Sequence, residues 1–294
     1  MPSRDVDTQW PLDLRRTLRP LGLRWSLGDA DGWWRALRTP DGPATVRFAR
    51  RSESVVAVDA WGDGSDWILE RAPAWLGAHD DPAAFQTHHP VVGPLHRRRQ
   101  GVRFGATGRV FEAVAYAVIG QKVTGKEASR SLRGLTMRFS EPAPGPRELR
   151  LPPDPDLLAV QPYHALHDLG IEKKRADTLI GLARRHRRLE ELADVDVDEA
   201  ARVLQSFRGV GVWTVAETLS ITHGHADAVS VGDYHHKHIV SWHLAGEPRG
   251  TDDRMLELLD EFRPHRGRVV RLLETAGGYP RYGPRMPIRN IAGM

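Results

Sequence analysis

Three short segments near the start of the chain have the pattern of β-strands. Apolar and polar residues alternate best in the second of them, and an Asp-Gly turn signal at 41–42 separates it from the first. The three segments are residues 33–39, 44–50 and 54–60. Helical spacing at 11–21 and 66–76 flanks them. The pattern predicts a small antiparallel sheet with a helix on either side.

From about residue 106 the apolar spacing becomes that of helices, interrupted by a Pro-rich loop at 140–156. The helices predicted from this spacing lie at 109–119, 127–139, 155–160, 163–169, 172–187, from a cap at Asp196 or Asp198 to 207, and near 234–244, 251–262 and 264–276. We therefore expect an α+β protein. Its N-terminal domain, residues 1–90, holds the sheet and flanking helices, and residues 91–294 form a mostly α-helical domain.

The interval 204–217 contains a Gly-Val-Gly turn between two predicted helices. Such a turn is often an ordinary helix corner, but it also lets backbone N–H groups approach a phosphate closely. A single acid, Asp233, follows in the loop 229–234. An acid at a fixed distance beyond a phosphate-binding hairpin indicates a DNA-binding helix-hairpin-helix enzyme.

Composition narrows the class of protein. The 294 residues carry a net charge of +4, which suits a nucleic-acid partner without requiring one. The absence of cysteine excludes thiol catalysis, disulfides and a Cys-ligated iron–sulfur cluster. No apolar run approaches the roughly 20 residues of a membrane helix, and no signal peptide is evident. We expect no membrane association and a cytoplasmic, nucleoid-associated enzyme.

The hairpin and its downstream acid resemble the helix-hairpin-helix (HhH-GPD) DNA glycosylases, especially the 3-methyladenine DNA glycosylase II branch. Further resemblance lies at 111–121, 169–179 and 262–266 and in the N-terminal sheet. It implies a DNA glycosylase of base-excision repair that hydrolyses the N-glycosidic bond of a flipped-out damaged base, with an alkylated purine favoured. The implied partner is double-stranded DNA containing the damaged base, and we expect a monomer.

By this resemblance Asp233 is the catalytic residue, which stabilises the sugar cation and assists the attack of water. Asp is also a common helix N-cap, and both roles are compatible. Trp213 stands where relatives that also cut the strand carry a Schiff-base lysine, so no lyase activity is expected. Trp213 is expected to stack on the extruded base or to pack in the core.

The expected substrate pocket comprises Trp213, Tyr234, Glu217 and His265, and the last two replace aromatic residues of the family. A less aromatic pocket weakens cation–π binding of a charged base. Glu217 is expected to attract a cationic base, to hydrogen-bond a neutral one, or to serve as a structural acid. Alternatives are therefore a glycosylase for deaminated purines or bulky adducts, and a non-catalytic lesion-binding DNA protein.

Two groups of residues are expected to contact DNA. The hairpin offers the backbone N–H groups of Gly209 and Gly211, and Val210 and Arg208 are expected to contact DNA beside them. The turn at Gln121, Lys122 and Val123 is expected to fill the gap left by the flipped base or, for Lys122, to contact phosphate or solvent.

No cofactor is expected to be required. The resemblance implies a structural K⁺ or Na⁺ held by the backbone carbonyls of Gln205, Phe207 and Val210. A remote alternative is a metallohydrolase built on the clustered histidines and Asp227. That cluster comprises His223, His225, Asp227, His235, His236 and His238.

Basic groups at 96–99, 103, 173–175 and 184–188 are individually typical of solvated faces. Those in the helical domain are candidates to extend an electrostatic footprint on nucleic acid.

Overall fold

The chain begins with a five-stranded antiparallel sheet in the order β1-β5-β4-β3-β2. The computed structural model describes residues 1–22, 25–281, 283 and 287–288. The strands are β1 (Ser3–Asp7), β2 (Ser26–Asp29), β3 (Gly32–Thr39), β4 (Gly42–Arg50) and β5 (Val55–Trp61). Helices α1 (Leu14–Leu21) and α2 (Ser65–Trp75) flank the sheet. The three predicted strands and both helices are confirmed, with ends shifted by a few residues.

The two edge strands, β1 and β2, were not predicted from the sequence. Val6 is the one buried residue of β1, and β2 has none. Their pairing with β5 and β3 uses backbone groups, so their side chains carry little apolar pattern. Edge strands with exposed polar side chains therefore cannot be predicted from the spacing of apolar residues.

The rest of the chain is mainly helical, which confirms the α+β class. The helices are α3 (Val92–Arg97), α4 (Val110–Gly120), α5 (Gly125–Phe139), α6 (Pro155–Ala159), α7 (His164–His167), α8 (Lys173–Ala183), α9 (His186–Glu190), α10 (Val197–Gln205), α11 (Val212–Thr222), α12 (His236–Ala245), α13 (Asp252–Leu259) and α14 (Arg266–Leu273). Short 3₁₀ turns lie at Pro82–Ala84, Glu191–Asp194 and Asp260–Phe262. Within the described residues, no helix is both long and apolar enough to cross a membrane.

The prediction of one helix over 172–187 was wrong. Helix α8 ends at Ala183, and α9 begins at His186. Leu189 of α9 is buried in the same apolar cluster as Leu182 of α8, so both segments supply core residues at helix-like spacing. Apolar spacing alone does not separate two short helices that pack against one core. Elsewhere, Asp196 rather than Asp198 caps α10, accepting from two backbone N–H groups.

The described apolar side chains form two clusters. The larger joins the sheet to the helices between residues 110 and 221, with Phe48, Trp75 and Val114 among its members. The smaller joins Phe85 and Val92 to the last three helices, through residues such as Met255. The domain boundary after residue 90 stays a prediction.

Buried ion pairs link the segments of the chain. Arg35 of β3 pairs with Glu112 of α4, and their side chains are 0% and 3% exposed. Arg268 of α14 pairs with Asp80, also buried. Buried charges are costly unless paired, so the first pair ties the sheet to α4 and the second ties α14 to the segment after α2.

Candidate active site

The hairpin between α10 and α11 presents backbone N–H groups at the surface. Gly209 has φ +88, and a Cβ there would clash with Thr178. A glycine is therefore required by both conformation and space. Gly211 directly precedes α11. Neither glycine donates its N–H to another described residue, so both groups remain available to a phosphate.

Gln121 connects the end of α4 to this hairpin. Its Nε2 donates to the carbonyl oxygen of Gly209 at 2.9 Å and to Oγ1 of Thr214 at 2.8 Å. The amide thereby holds the turn 121–123 against the hairpin. Lys122, at the tip of the turn, is exposed and has φ +54, the one positive φ of a non-glycine residue in the described ranges. That left-handed backbone is costly for a lysine.

Asp233 lies at the junction of the loop 229–234 and α12. Its Oδ1 accepts from the backbone N–H groups of His235 and His236 at 2.7 and 3.1 Å. Its Oδ2 accepts from Nε1 of Trp213 at 3.3 Å. The carboxylate thus caps the start of α12 and faces the start of α11 at once, so the capping role and a position in the cleft are compatible.

The surroundings of Asp233 keep it ionised. Burial raises the pKa of its carboxyl group, but the nearby His236 imidazolium, the two backbone donors and the Trp213 indole together outweigh that effect. The pKa of Asp233 therefore lies below its ordinary value of 3.8. A half-buried carboxylate with three fixed donors is a preorganised negative charge.

These elements enclose an open cleft, which we call the hairpin cleft. Its walls are the turn 121–123, the exposed side of α5, the hairpin and the Asp233 loop. Predicted site residues that line it are Gln121, Lys122, Val123, Gly209, Val210, Gly211, Trp213, Asp233 and Tyr234. Cations from α5 and α8 that line it are Lys126, Arg130, Arg133, Lys174 and Arg175. The cleft therefore combines one fixed carboxylate with a basic rim.

Glu217 does not line the hairpin cleft but lies behind Asp233. Its carboxyl group accepts a hydrogen bond from Oγ of Ser230. Burial raises the pKa of Glu217, opposed by Ser230 and His236 and reinforced by Asp233. The half-buried Glu217 is thus part of a polar group beside the catalytic candidate.

Sequence reasoning gave His236 no role at Asp233 and did not single out Glu274. His236 Nε2 lies 3.3 Å from Oε1 of Glu274, at the end of α14. Burial lowers the pKa of His236, yet Glu274, Asp233 and Glu217 together raise it above 6.5. The clustering of histidines drew attention to His236, but no sequence signal connects Glu274 to this site.

His265 and Arg208 lie outside the hairpin cleft. The ring of His265 packs 5.1 Å from that of Phe85, and its Nδ1 is 3.4 Å from Nε of Arg268. Burial and the Arg268 charge lower the pKa of His265. Arg208 is exposed on the opposite side of the hairpin tip. The structure therefore does not bring these two residues to Asp233.

The carbonyl groups expected to hold a monovalent cation lie on both sides of the hairpin turn. The carbonyl of Phe207 already accepts the N–H of Val210 at 3.0 Å. A carbonyl oxygen has a second lone pair, so this bond leaves the site possible. The cation site at Gln205, Phe207 and Val210 stays a prediction.

The clustered histidines do not converge. In the described ranges, no three His, Asp or Glu side chains are arranged to hold a metal ion. His223 Nε2 lies 3.0 Å from the carbonyl of Leu192, and His238 Nδ1 accepts from the N–H of Gly250. The metallohydrolase alternative therefore has no site in this part of the molecule.

Comparisons with known proteins address the fold and part of the sequence. No family model matches the chain. Over 128 residues it is 32% identical to DNA-3-methyladenine glycosylase 2 of Escherichia coli (strain K12), a match that covers 42% of this chain and 45% of that protein. The matched region thus spans less than half the length of that relative.

Two solved structures share the fold over almost their whole length. A 3-methyladenine DNA glycosylase from Archaeoglobus fulgidus superposes with a TM-score of 0.75 at 18% identity, over 92% of this chain and 96% of that one. The 8-oxoguanine glycosylase/lyase of Clostridium acetobutylicum superposes with a TM-score of 0.70 at 13% identity, over 94% and 97%. At such identities the superpositions show the fold alone. The chain therefore has the fold of these DNA glycosylases, and part of it is similar in sequence to a DNA-3-methyladenine glycosylase.

Proposed function

We propose that this protein is a monofunctional DNA glycosylase that removes a damaged base, with an alkylated purine favoured, from double-stranded DNA. The observation that carries the proposal is the contact between Asp233 and Trp213 inside a cleft bordered by the hairpin. The partial sequence match to a DNA-3-methyladenine glycosylase favours the same substrate class. We expect the protein to act as a monomer.

The chemistry follows from where charge develops. When the C1′–N bond breaks, its electron pair leaves with the base and C1′ becomes positive. The Asp233 carboxylate stabilises that cation and orients a water molecule, whose oxygen bonds to C1′. The low pKa of Asp233 keeps it charged at neutral pH. The proton that the water loses passes to the departing base or to solvent.

Trp213 supports hydrolysis without strand cleavage. A lyase step needs an amine that attacks C1′, and the residue bonded to Asp233 at the start of α11 is an indole. Its flat ring lines the hairpin cleft, where it is suited to stack on an extruded base.

The hairpin and the turn 121–123 are suited to hold the DNA. The N–H groups of Gly209 and Gly211 are available to a phosphate of the damaged strand. The amide of Gln121 is engaged by the hairpin. Lys122 or Val123, which both line the hairpin cleft, therefore fills the space left by the flipped nucleotide.

A second candidate substrate class is a deaminated purine such as hypoxanthine. Of the four residues expected to form the substrate pocket, Trp213 and Tyr234 line the hairpin cleft, whereas Glu217 and His265 do not. A neutral base recognised by hydrogen bonds suits a cleft with fewer aromatic side chains better than a cationic base recognised by several aromatic rings.

A single-turnover excision assay tests the proposal. Duplexes carrying 3-methyladenine or a stable analogue, 7-methylguanine, 1,N6-ethenoadenine, hypoxanthine, uracil or bulkier adducts are incubated with wild-type protein and with Asp233→Asn. We expect release of an alkylated purine that the substitution abolishes and EDTA does not affect. Release of hypoxanthine alone would select the second class. DNA binding with no release across the panel would instead favour the lesion-binding alternative.

A further inference from the structure

A second groove, which we call the α8 groove, lies on the other side of the hairpin tip from the Asp233 loop. One wall is the exposed face of α8 with the turn after it, and the other is the segment 206–209. Six cations line it: Lys173, Lys174, Arg184, Arg185, Arg188 and Arg208. One acid lines it, Asp177, which pairs with Lys173 at 2.6 Å.

This charge ratio differs from that of the chain as a whole. The protein has 42 basic and 38 acidic residues, so an average face carries the two signs in nearly equal number. Arg184, Arg185 and Arg188 are exposed, and none forms an ion pair with a described carboxylate. The α8 groove therefore concentrates positive charge that no carboxylate of the described residues neutralises through an ion pair.

The α8 groove is continuous with the hairpin cleft. Lys174 and Gly209 line both, and the available N–H of Gly209 lies where the two meet. A phosphate chain that passes the hairpin tip can thus continue along α8 without leaving a basic surface. The 11 residues of α8 extend about 16 Å, which corresponds to about five base pairs of duplex at about 3.4 Å each.

We propose that the α8 groove binds the phosphate backbone of the duplex that flanks the damaged base, on one side of it. This inference rests on the proposed function and adds to it a second, sequence-independent contact. The groove anchors the flanking backbone while the hairpin cleft receives the extruded nucleotide. Arg185 and Arg188, at the end of the groove far from Lys174, contact phosphates about five base pairs beyond the junction of the two grooves.

Arg185→Gln/Arg188→Gln tests the proposal, with Arg15→Gln/Arg19→Gln on α1 as the matched control. Both double variants remove two cations from exposed positions. Dissociation constants are measured for an abasic-site duplex extending twelve base pairs on both sides of the lesion, and for duplexes trimmed to two base pairs on one side or the other. We expect the groove variant to bind the long duplex about ten-fold more weakly, with a salt slope reduced by about two.

On one of the two trimmed duplexes the groove variant should bind as tightly as wild type, since the phosphates it contacts are missing. The control should match wild type on every duplex. Equal affinity of the groove variant and wild type for the long duplex would overturn the proposal. An equal loss on all three duplexes would also overturn it, since the loss would then not depend on flanking DNA.

Excision by the wild-type protein separates this inference from the proposed function. If wild type releases a base and the groove variant binds DNA as tightly as wild type, only the proposal about the α8 groove is refuted. No binding and no release by wild type refutes the proposed function. Far-ultraviolet circular dichroism and melting temperatures of both variants are expected to equal those of wild type, because the substituted side chains are exposed.

Discussion

The indole Nε1 of Trp213 lies 3.3 Å from Oδ2 of Asp233, and this contact joins the start of α11 to the loop before α12. The other carboxylate oxygen is held by two backbone N–H groups. Both oxygens of the carboxylate are therefore fixed before any substrate arrives. Fixed donors are effective because they need no reorganisation as charge develops.

Trp213→Phe keeps an aromatic ring but removes the N–H donor. Because that donor lowers the pKa of Asp233, its loss raises the pKa, and the acid limb of the pH–rate profile moves to higher pH. We expect the single-turnover rate at neutral pH to fall about ten-fold, as for one hydrogen bond to a charged group. A full pH–rate profile measures both the position of the acid limb and the rate at neutral pH. An unchanged acid limb would show that the indole does not lower the pKa of Asp233.

His236→Gln removes the positive charge that lowers the pKa of Asp233 most strongly. The acid limb of excision should again move to higher pH. Because the folded-state pKa of His236 is raised, its charge contributes stability below about pH 6.5 that is lost at higher pH. The variant should therefore be destabilised more at pH 6 than at pH 9 in urea unfolding. The exposed His79→Gln serves as control, and equal losses at both pH values would contradict this role.

Lys122→Gly separates stability from activity. Glycine relieves the left-handed backbone at φ +54, and we expect stability to rise by about 1 kcal/mol. The same substitution removes a side chain from the rim of the hairpin cleft, so excision should fall. Thermal unfolding and single-turnover excision, measured on one preparation, check that the stability rises while the excision rate falls. A lower melting temperature would mean that Lys122 makes stabilising contacts that outweigh the strain.

Glu190→Gln probes the half-buried acid at the end of α9, whose carboxylate accepts from the backbone N–H groups of Val110 and Phe111 at the start of α4. Burial raises the pKa of Glu190 to about 7 despite the Arg109 charge beside it. Folding thus takes up a proton between about pH 4.5 and 7, and wild-type stability falls by up to about 1.4 kcal/mol per pH unit across that window. The variant should lack this decline. Urea unfolding at pH 5 and pH 7.5 measures the change in the free energy of unfolding, and Glu191→Gln at the exposed neighbouring position serves as the control.

Arg35→Met tests the buried link between the sheet and α4. It leaves Glu112 buried without its guanidinium partner, which costs about 3–5 kcal/mol. Adding Glu112→Gln should restore part of the loss, because the unpaired charge is gone. Urea unfolding of the two single variants and the double variant gives the coupling energy. If the losses in the free energy of unfolding are additive, the Arg35–Glu112 pair does not couple the sheet to α4.

Local patterns predicted much of the fold because they depend on neighbours in sequence. Alternation identified β4, helical spacing identified α4 and α5, and the glycines marked the hairpin at 209–211. The same patterns missed β1, whose exposed residues are held by backbone bonds to β5, and did not separate α9 from α8. Pairing and helix breaks depend on what packs against a segment, which spacing does not record.

The sequence by itself determined the chemical types at the candidate site: the hairpin glycines, Trp213 at the start of α11, and one acid after it. Only the tertiary structure decided which side chains meet. It placed Glu217 behind Asp233, turned His265 toward Phe85, and brought Glu274 to His236 from a helix 38 residues away. The physical reason is that a residue's type is local, whereas burial and charge pairing depend on the packing of helices distant in the chain.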